Sequence, residues 1–514
     1  MSNAMSPIET KPKEDDTPSP GGKTDPAYHF DYLFVDGRRQ KSTGSDVIEV
    51  ISPHSENVIG SVPAATRSDV DAAVAAASAA LKADRWGGLT VAERLDAVRR
   101  FADAYADLAD EFAEAMTAEM GCPASIVRKI HIDPAVTAMR YYLALGERTA
   151  FEEYREGARP TLVLRRPVGV VAGIVPWNGP VYLTILKLAP ALVSGCTMVL
   201  KPSPEAPLSS YVLIRAAEIA GLPAGVLNVL TADRDVSEYL VSHPGVDKIS
   251  FTGSTMVGQH IAQICGKDLK RFNLELGGKS AAIILDDANL PEVVQALRMG
   301  SFANSGQVCA ARTRILAPRS RYEEVVSAVA EMASSLRVGN PSDPTTELGP
   351  LVSERQRDTV LAHIHSAIEE GARLVTGGAV PRAFNSGYYV EPTVFADVTN
   401  DMKIAQNEIF GPVIVIIGYD SDEEAIAITN DSAFGLAGSV HTADTLRGFR
   451  IAQRIETGTF GLNVIGNDIG SPFGGTKLSG IGREMGPEGL EDYFEYKTLI
   501  LSPGDRAVIE HASS

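Results

Sequence analysis

At 514 residues the chain is longer than one hydrophobic core usually organises, so two or three domains with large buried cores are expected. Its 47 basic against 65 acidic residues leave a formal charge of −18 with no long Lys/Arg run to offset it, which disfavours nucleic acid and anionic lipid as partners. Four scattered cysteines, Cys122, Cys196, Cys265 and Cys309, exclude a disulfide framework, no CxxC pair or HExxH run marks a metal site, and a reducing, cytoplasmic compartment fits.

In chain order, the opening MSNA reads as an expression scar and the Pro/Gly/Lys/Asp-rich segment to about Asp25 as a disordered lead-in. From Thr66 to Met120 the pattern is helical. TRSDVDAAVAAASAALKAD takes Ser68 as its N-cap, and ERLDAVRRFADAYADLADEFAEAMTAEMG keeps apolar residues at three- and four-residue spacing until Gly121.

Beyond Thr161, short apolar runs alternate with helical ones. VGVVAGIVP, TMVLKPSP, VLNVL and KISFTGS predict buried strands; PVYLTILKLAPALVSG and SSYVLIRAAEIAG predict helices between them. A second cycle follows Leu276, with SAAIILDD, TRILAP, PVIVIIGYD and AGSVHT as strands and PEVVQALRMGSFANSG and SRYEEVVSAVAEMASSLR as helices. The fold class is therefore α/β, two doubly wound units in tandem, with ligand-binding loops at the carboxyl ends of strands. The tail EDYFEYKTLILSP reads as a strand that pairs either with another subunit or at the edge of its own domain. Apolar runs such as VGVVAGIV are too short to span a membrane.

Neither common glycine fingerprint is complete. In LGGKS the first glycine of a phosphate-binding loop falls at Asn273, and in GIGREMG the last glycine of a dinucleotide turn falls at Met485. KISFTGSTMVG is a better phosphate site, because Gly253 and Ser254 open a helix after a strand. Lys201 ends its strand, where a lysine is either merely solvated or reaches a ribose or phosphate. IVPWNGP fixes Asn178 in a rigid turn, where an amide can donate to an oxyanion. Glu275 lies in an apolar run, where burial raises a carboxyl toward a general base or pairs it in a salt bridge. Glu408 and Phe410 precede another buried strand. In NSGQVCAARTR, Cys309 stands among small and polar residues, a setting that suits an accessible thiolate, while a structural cysteine stays the commoner reading of these residues alone.

PWN, KPSP, FTGS, LELGGK, GQVCAARTR, EIFGPV and SPFGGTKLSGIGRE occur in this order and at these intervals in the aldehyde dehydrogenase superfamily, which the chain resembles from about Tyr28 to Leu501. The resemblance implies an NAD(P)-binding domain (26–147 and 168–275), a catalytic domain (276–470) and a small β oligomerisation arm (148–167 and 490–508) that joins dimers or tetramers. It implies Cys309 as nucleophile, Asn178 with the Cys309 N–H as oxyanion donors, Glu275 as the base for thioester hydrolysis, and Lys187 and Glu484 as a proton route. For the cofactor it implies Trp177, Lys201, Gly253, Ser254, Glu408 and Phe410. Gly179, Leu183, Leu186 and Phe473 would line an aldehyde tunnel, small or apolar enough for an uncharged substrate, with Arg312 the one nearby cation.

Many NAD-preferring relatives carry Glu three residues after the strand-end lysine. Here Pro204 stands there, followed by Glu205, so NAD is expected with NADP tolerated. Two other functions compete. A CoA-acylating semialdehyde dehydrogenase would typically lack Glu275, and a non-catalytic binding member would have lost Cys309, Glu275 or Asn178.

Overall fold

The computed structural model describes residues 28–82, 84–502, 504–506 and 508–509; the expected lead-in to Asp25 lies outside them. Two sheets organise the molecule. The first has eight strands, in the order Gly480–Ile481, Arg271–Glu275, Lys248–Thr252, Val170–Ile174, Thr197–Lys201, Leu227–Val229, Leu33–Val35 and Arg38–Gln40. The five from Arg271–Glu275 to Leu227–Val229 run parallel, and the flanking strands add antiparallel. Along them side chains alternate between two cores: Val171, Met198 and Leu200 face one, and Val170, Ala172, Ile174 and Val199 the other. Both faces are thus buried, which is why these strands read as continuous apolar runs.

The second sheet has seven strands, with Ser280–Ile284, Arg312–Pro318, Val413–Tyr419, Thr393–Ala396, Ala437–His441 and Thr459–Leu462 parallel and Arg373–Thr376 antiparallel at one edge. Ala282, Ile284, Ile315 and Ala317 face one core and Ala281, Ile283 and Leu316 the other. In each sheet the strand order reverses next to the first central strand. In the first sheet this topological switch lies between Val170–Ile174 and Lys248–Thr252, where their carboxyl-end loops open a crevice. The tail strand Phe494–Ile500 pairs along its whole length with Thr161–Pro167, which also pairs with Glu152–Arg155. These three strands form a sheet of their own, so the tail is not an edge of either large sheet.

The structure corrects three local expectations. The helix Arg67–Ala80 is capped by Thr66, not Ser68: Thr66 accepts from the Asp69 N–H while the Asp69 carboxylate accepts from the Thr66 N–H, a reciprocal box that Ser68 sits too late to make. The long helix is two, Val91–Asp107 and Ala109–Met120, parted at Leu108, with Gly121 left-handed at the end as expected. The helix Leu290–Phe302 stops before NSG, because Asn304, Ser305 and Gly306 all have positive φ.

Candidate active site

The crevice is a cleft of about 760 Å³ whose walls bring together Trp177, Asn178, Lys201, Gly253, Ser254, Cys309, Glu408 and Phe410, residues spread over more than two hundred positions of sequence. The first sheet supplies Trp177 and Asn178 from the turn after Ile174, Lys201 from a strand end, and Gly253 and Ser254 ahead of the helix Thr255–Asp268. Cys309 enters on the loop before Arg312–Pro318 of the second sheet, and Glu408 and Phe410 on the loop before Val413–Tyr419.

The loop bearing Cys309 is held in a backbone form that few residues adopt. Its three consecutive left-handed residues, with φ of 51°, 58° and 73°, are over-determined by their surroundings. A Cβ at Gly306 would lie 2.1 Å from the carbonyl oxygen of Gly411, so the loop packs directly on the Phe410–Pro412 turn. The Asn304 amide donates to the Asn178 carbonyl at 3.1 Å, and the Asn178 amide donates to the Gln307 carbonyl at 3.0 Å. Gln307 in turn donates to Asn304 O and accepts from the Val352 N–H. Asn178 and Cys309 are therefore fixed relative to one another through Asn304 and Gln307, two residues whose polar character alone did not distinguish them in the sequence.

Cys122 and Cys196 are fully buried and Cys265 is buried, whereas Cys309 is partly exposed and is the cysteine on the cleft wall. Burial pushes its thiol up to about 12, with Glu408 and Glu275 adding in the same direction; the N–H groups of Ala310 and Cys309 favour the thiolate.

Glu275 is 4 % exposed, and neither carboxylate oxygen has a hydrogen-bond partner among the described residues. Burial raises its pKa well above the usual carboxyl range; Glu484 raises it further, and Lys187 and Arg483 oppose that. The salt bridge considered for Glu275 exists elsewhere: the Lys187 ammonium pairs with the Glu484 carboxylate and donates to the Thr252 hydroxyl at 2.7 Å. The segment carrying Glu484 reaches this point because Gly480–Ile481 adds antiparallel to Arg271–Glu275, and Phe473 and Glu484 exchange both backbone hydrogen bonds at 2.7 Å. A Cβ at Gly480 would meet the Leu274 carbonyl at 2.0 Å.

At the other end of the cleft, Lys201 is buried, not a solvated strand end, and desolvation lowers its amine to about 8. Gly253 lines the cleft, and its N–H donates to the Glu275 carbonyl at 3.0 Å. In the first turn of Thr255–Asp268 the Val257 N–H donates to the Ser254 hydroxyl at 3.4 Å. Glu408 accepts from the Gly278 N–H at 3.0 Å, and burial raises its carboxyl to about 7. Trp177 and Phe410 meet edge to face, centroids 5.4 Å apart.

Pro204 and Glu205 both line the cleft. The Ser203 hydroxyl donates to the Glu205 carboxylate, which lies 3.6 Å from the Arg355 guanidinium. Arg234 and Arg355 also line the wall, cations that the local sequence around Lys201 did not reveal. Arg312 turns away: it is 2 % exposed and donates to the carbonyls of Ala310 and Gly438.

Gly179, Leu183, Leu186 and Phe473 do not line this cleft. Leu183, Leu186 and Phe473 belong to the apolar cluster that also packs Trp177, Tyr182 and Cys309, and Gly179 abuts Leu183. Tyr182, absent from the sequence-based set, has its phenol raised chiefly by burial, with nearby Glu484 and Cys309 adding in the same direction.

The aldehyde dehydrogenase family model matches residues 39–499. A geranial dehydrogenase from Castellaniella defragrans is 45 % identical over 472 residues, covering 91 % of this chain and 98 % of that one. Among solved structures, a Mycobacterium tuberculosis aldehyde dehydrogenase complexed with NAD+ superposes with a TM-score of 0.91 at 46 % identity, covering 93 % of this chain and 99 % of that one. A mutant of aldehyde dehydrogenase C from Pseudomonas syringae, complexed with NAD+ and octanal, gives 0.89 at 38 % identity, covering 91 % and 96 %. The chain belongs to the aldehyde dehydrogenase family.

Proposed function

We propose that the protein oxidises an uncharged aldehyde to a carboxylic acid with NAD, through a covalent adduct on Cys309. The observation that carries this reading is one partly exposed thiol and a fixed amide donor on the same cleft wall, with an unpartnered buried carboxyl, Glu275, near enough to act on that thiol. NAD fits that crevice on its own features: a long cleft at a topological switch, a helix start for the pyrophosphate, buried Lys201 for the adenosine ribose, and Glu408 with Phe410 and Trp177 for the nicotinamide end. Bound there, the cofactor supplies the hydride acceptor. The NAD+ complexes of the two structural relatives support the choice.

The steps assigned to this chain follow from its geometry. The Cys309 sulfur attacks the carbonyl carbon as its proton passes to Glu275, and the Asn178 amide and the Cys309 N–H hold the oxyanion. Loss of hydride from the thiohemiacetal leaves a thioester. Lys187 and Glu484 carry the proton away from Glu275, which then takes one from the attacking water, and hydrolysis releases the acid. Glu275 sets this reading above CoA acylation, and the intact trio of Cys309, Glu275 and Asn178 sets it above a binding-only role.

For the substrate, Gly179, Leu183, Leu186 and Phe473 form the proposed tunnel wall. The geranial named for one relative and the octanal bound to another support an uncharged aldehyde of medium length. For assembly, the three-stranded sheet with Tyr496 and Ile500 exposed on its edge strand supports a dimer or tetramer joined through this arm. Among the described residues no helix is long and apolar enough to cross a membrane, and the proposed site of action is the cytoplasm. The experiment is absorbance at the reduced-nicotinamide band with a panel of aldehydes and NAD or NADP, with and without CoA. Turnover without CoA is expected; signal only with CoA would remove the hydrolytic role of Glu275.

A further inference from the structure

His131 is a buried polar side chain that the reaction above leaves unused. It lies in Arg128–Ile132, a single π-helical turn between the helices Ala124–Val127 and Asp133–Arg148. Such turns are rare, and they recur at functional sites. The ring is 6 % exposed, and its Cε1 stands 3.5 Å from where a Cβ on Gly179 would be, beside Leu183. Gly179 directly follows the oxyanion donor Asn178, and Leu183 is one turn further along the same helix. A Cβ at 179 would be in ordinary van der Waals contact with the imidazole, so the ring borders the backbone that follows Asn178.

Neither Nδ1 nor Nε2 of His131 has a hydrogen-bond partner among the described residues. Its chain neighbours Val127 and Ile132 are buried and Ile130 partly so, in the same apolar cluster against which Leu183 packs. An imidazole with both nitrogens orphaned in such a place is unfavourable compared with an aliphatic side chain, unless something entering the tunnel satisfies it. Burial drives its pKa down to about 4, so the ring stays neutral across the physiological range and presents one N–H donor and one acceptor nitrogen.

We propose that His131 is a specificity-determining residue of the tunnel, and that the preferred substrate is an uncharged aldehyde carrying a hydroxyl group that hydrogen-bonds to this ring. A hydroxyl both donates and accepts, so it matches either tautomer. A carboxylate would meet a neutral ring in an apolar wall with no cation to balance it, since Arg312 is committed to backbone carbonyls. A quaternary ammonium would find no aromatic cage at His131. The proposal rests on the dehydrogenase reading, because only an aldehyde held at Cys309 and Asn178 would run its chain past Gly179.

The test compares octanal with a series of hydroxyoctanals in which the hydroxyl is moved along the chain, reading kcat/KM from reduced-nicotinamide formation. The wild-type enzyme should favour one isomer over octanal by roughly tenfold, the size of one hydrogen bond to a buried neutral group. His131→Leu should lose that preference while keeping its rate on octanal, and His131→Gln, which retains a donor and an acceptor, should keep part of it. No preference for any isomer in the wild-type enzyme would overturn the proposal, as would equal losses on octanal and hydroxyoctanal in His131→Leu. Should the leucine variant fail to fold, the wild-type ratio and the glutamine variant decide alone. Turnover of octanal without preference would remove this proposal only, whereas no turnover of any aldehyde would remove the dehydrogenase reading and this proposal together.

Discussion

Lys187 and Glu484 form an ion pair inside the protein, 0 % and 4 % exposed, and the two charges act in opposite senses on the carboxyl of Glu275. A buried pair of this kind is weak evidence for stability, since desolvating both ions offsets much of their attraction. Its position beside the proposed base gives it another use, tuning when that base is ionised.

Removing either partner should therefore shift the pH dependence of thioester hydrolysis in opposite directions. A base works above its pKa. Lys187→Met removes the cation that lowers Glu275, so the rising limb of kcat should move to higher pH; Glu484→Gln removes the anion that raises it, and the limb should move lower. Each variant also strands a buried charge, with about 3–5 kcal/mol of stability lost. The pH–rate profiles check the sign, and shifts in the same direction would show that the pair does not act through Glu275.

Gly278 stands against the nucleophile loop. A Cβ there would lie 2.5 Å from the carbonyl oxygen of Cys309, a backbone atom that cannot swing aside as a side chain would. Gly278→Ala should displace Cys309 and lower kcat by roughly a hundredfold, the penalty of a misplacement near 1 Å, with cofactor affinity largely retained. Steady-state kinetics and the rate of thiol labelling test this together; an unchanged kcat would mean that the loop tolerates the shift.

Cofactor choice should rest on Glu205. Its carboxylate reaches the cleft beside Lys201, held by Ser203 and near Arg355, while Pro204 leaves the preceding position without an acid. Glu205→Gln removes an acceptor for ribose hydroxyls and leaves Arg355 free to meet a 2′-phosphate, so the NAD to NADP ratio of kcat/KM should fall by about tenfold. Pro204→Glu should raise it. Ratios unchanged in both variants would place selectivity elsewhere on the wall.

How much of this was legible in the sequence follows from what each signal depends on. Strands buried on both faces announce themselves as apolar runs, so Val170–Ile174, Thr197–Lys201 and Ser280–Ile284 were predicted where they occur. Cys309, Glu275 and Asn178 were singled out because short motifs held them in order. The fixed relation of Asn178 to Cys309 was not legible, because it passes through Asn304 and Gln307 in a left-handed run that composition reads as helix. His131 and Arg355 were missed for a different reason. Each comes from a helix far away in sequence, and only the fold sets His131 against Gly179 and Arg355 on the cleft wall.

A fourth prediction concerns stability. Glu119 caps the helix Leu208–Ala220 by accepting from the N–H groups of Leu208 and Ser209, yet full burial raises its carboxyl from 4.5 to about 7. With the folded value above the unfolded one, its contribution is fully present below about pH 4.5 and is lost as pH rises through about 7. Glu119→Gln keeps an acceptor oxygen but cannot ionise, so it should gain on the wild type between pH 5 and pH 8 by up to roughly 3 kcal/mol. Denaturant midpoints at the two pH values check this. A gap that does not change with pH would show that Glu119 is ionised in the folded protein throughout.

The central claim is that Cys309 carries the acyl group, and its most direct test sets Cys309→Ala against the wild type with octanal and NAD in the absence of CoA. The account predicts reduced nicotinamide and octanoate from the wild type, and neither product from the variant despite an unchanged affinity for NAD. Continued aldehyde oxidation by Cys309→Ala would contradict it and send the search for the nucleophile elsewhere in the cleft.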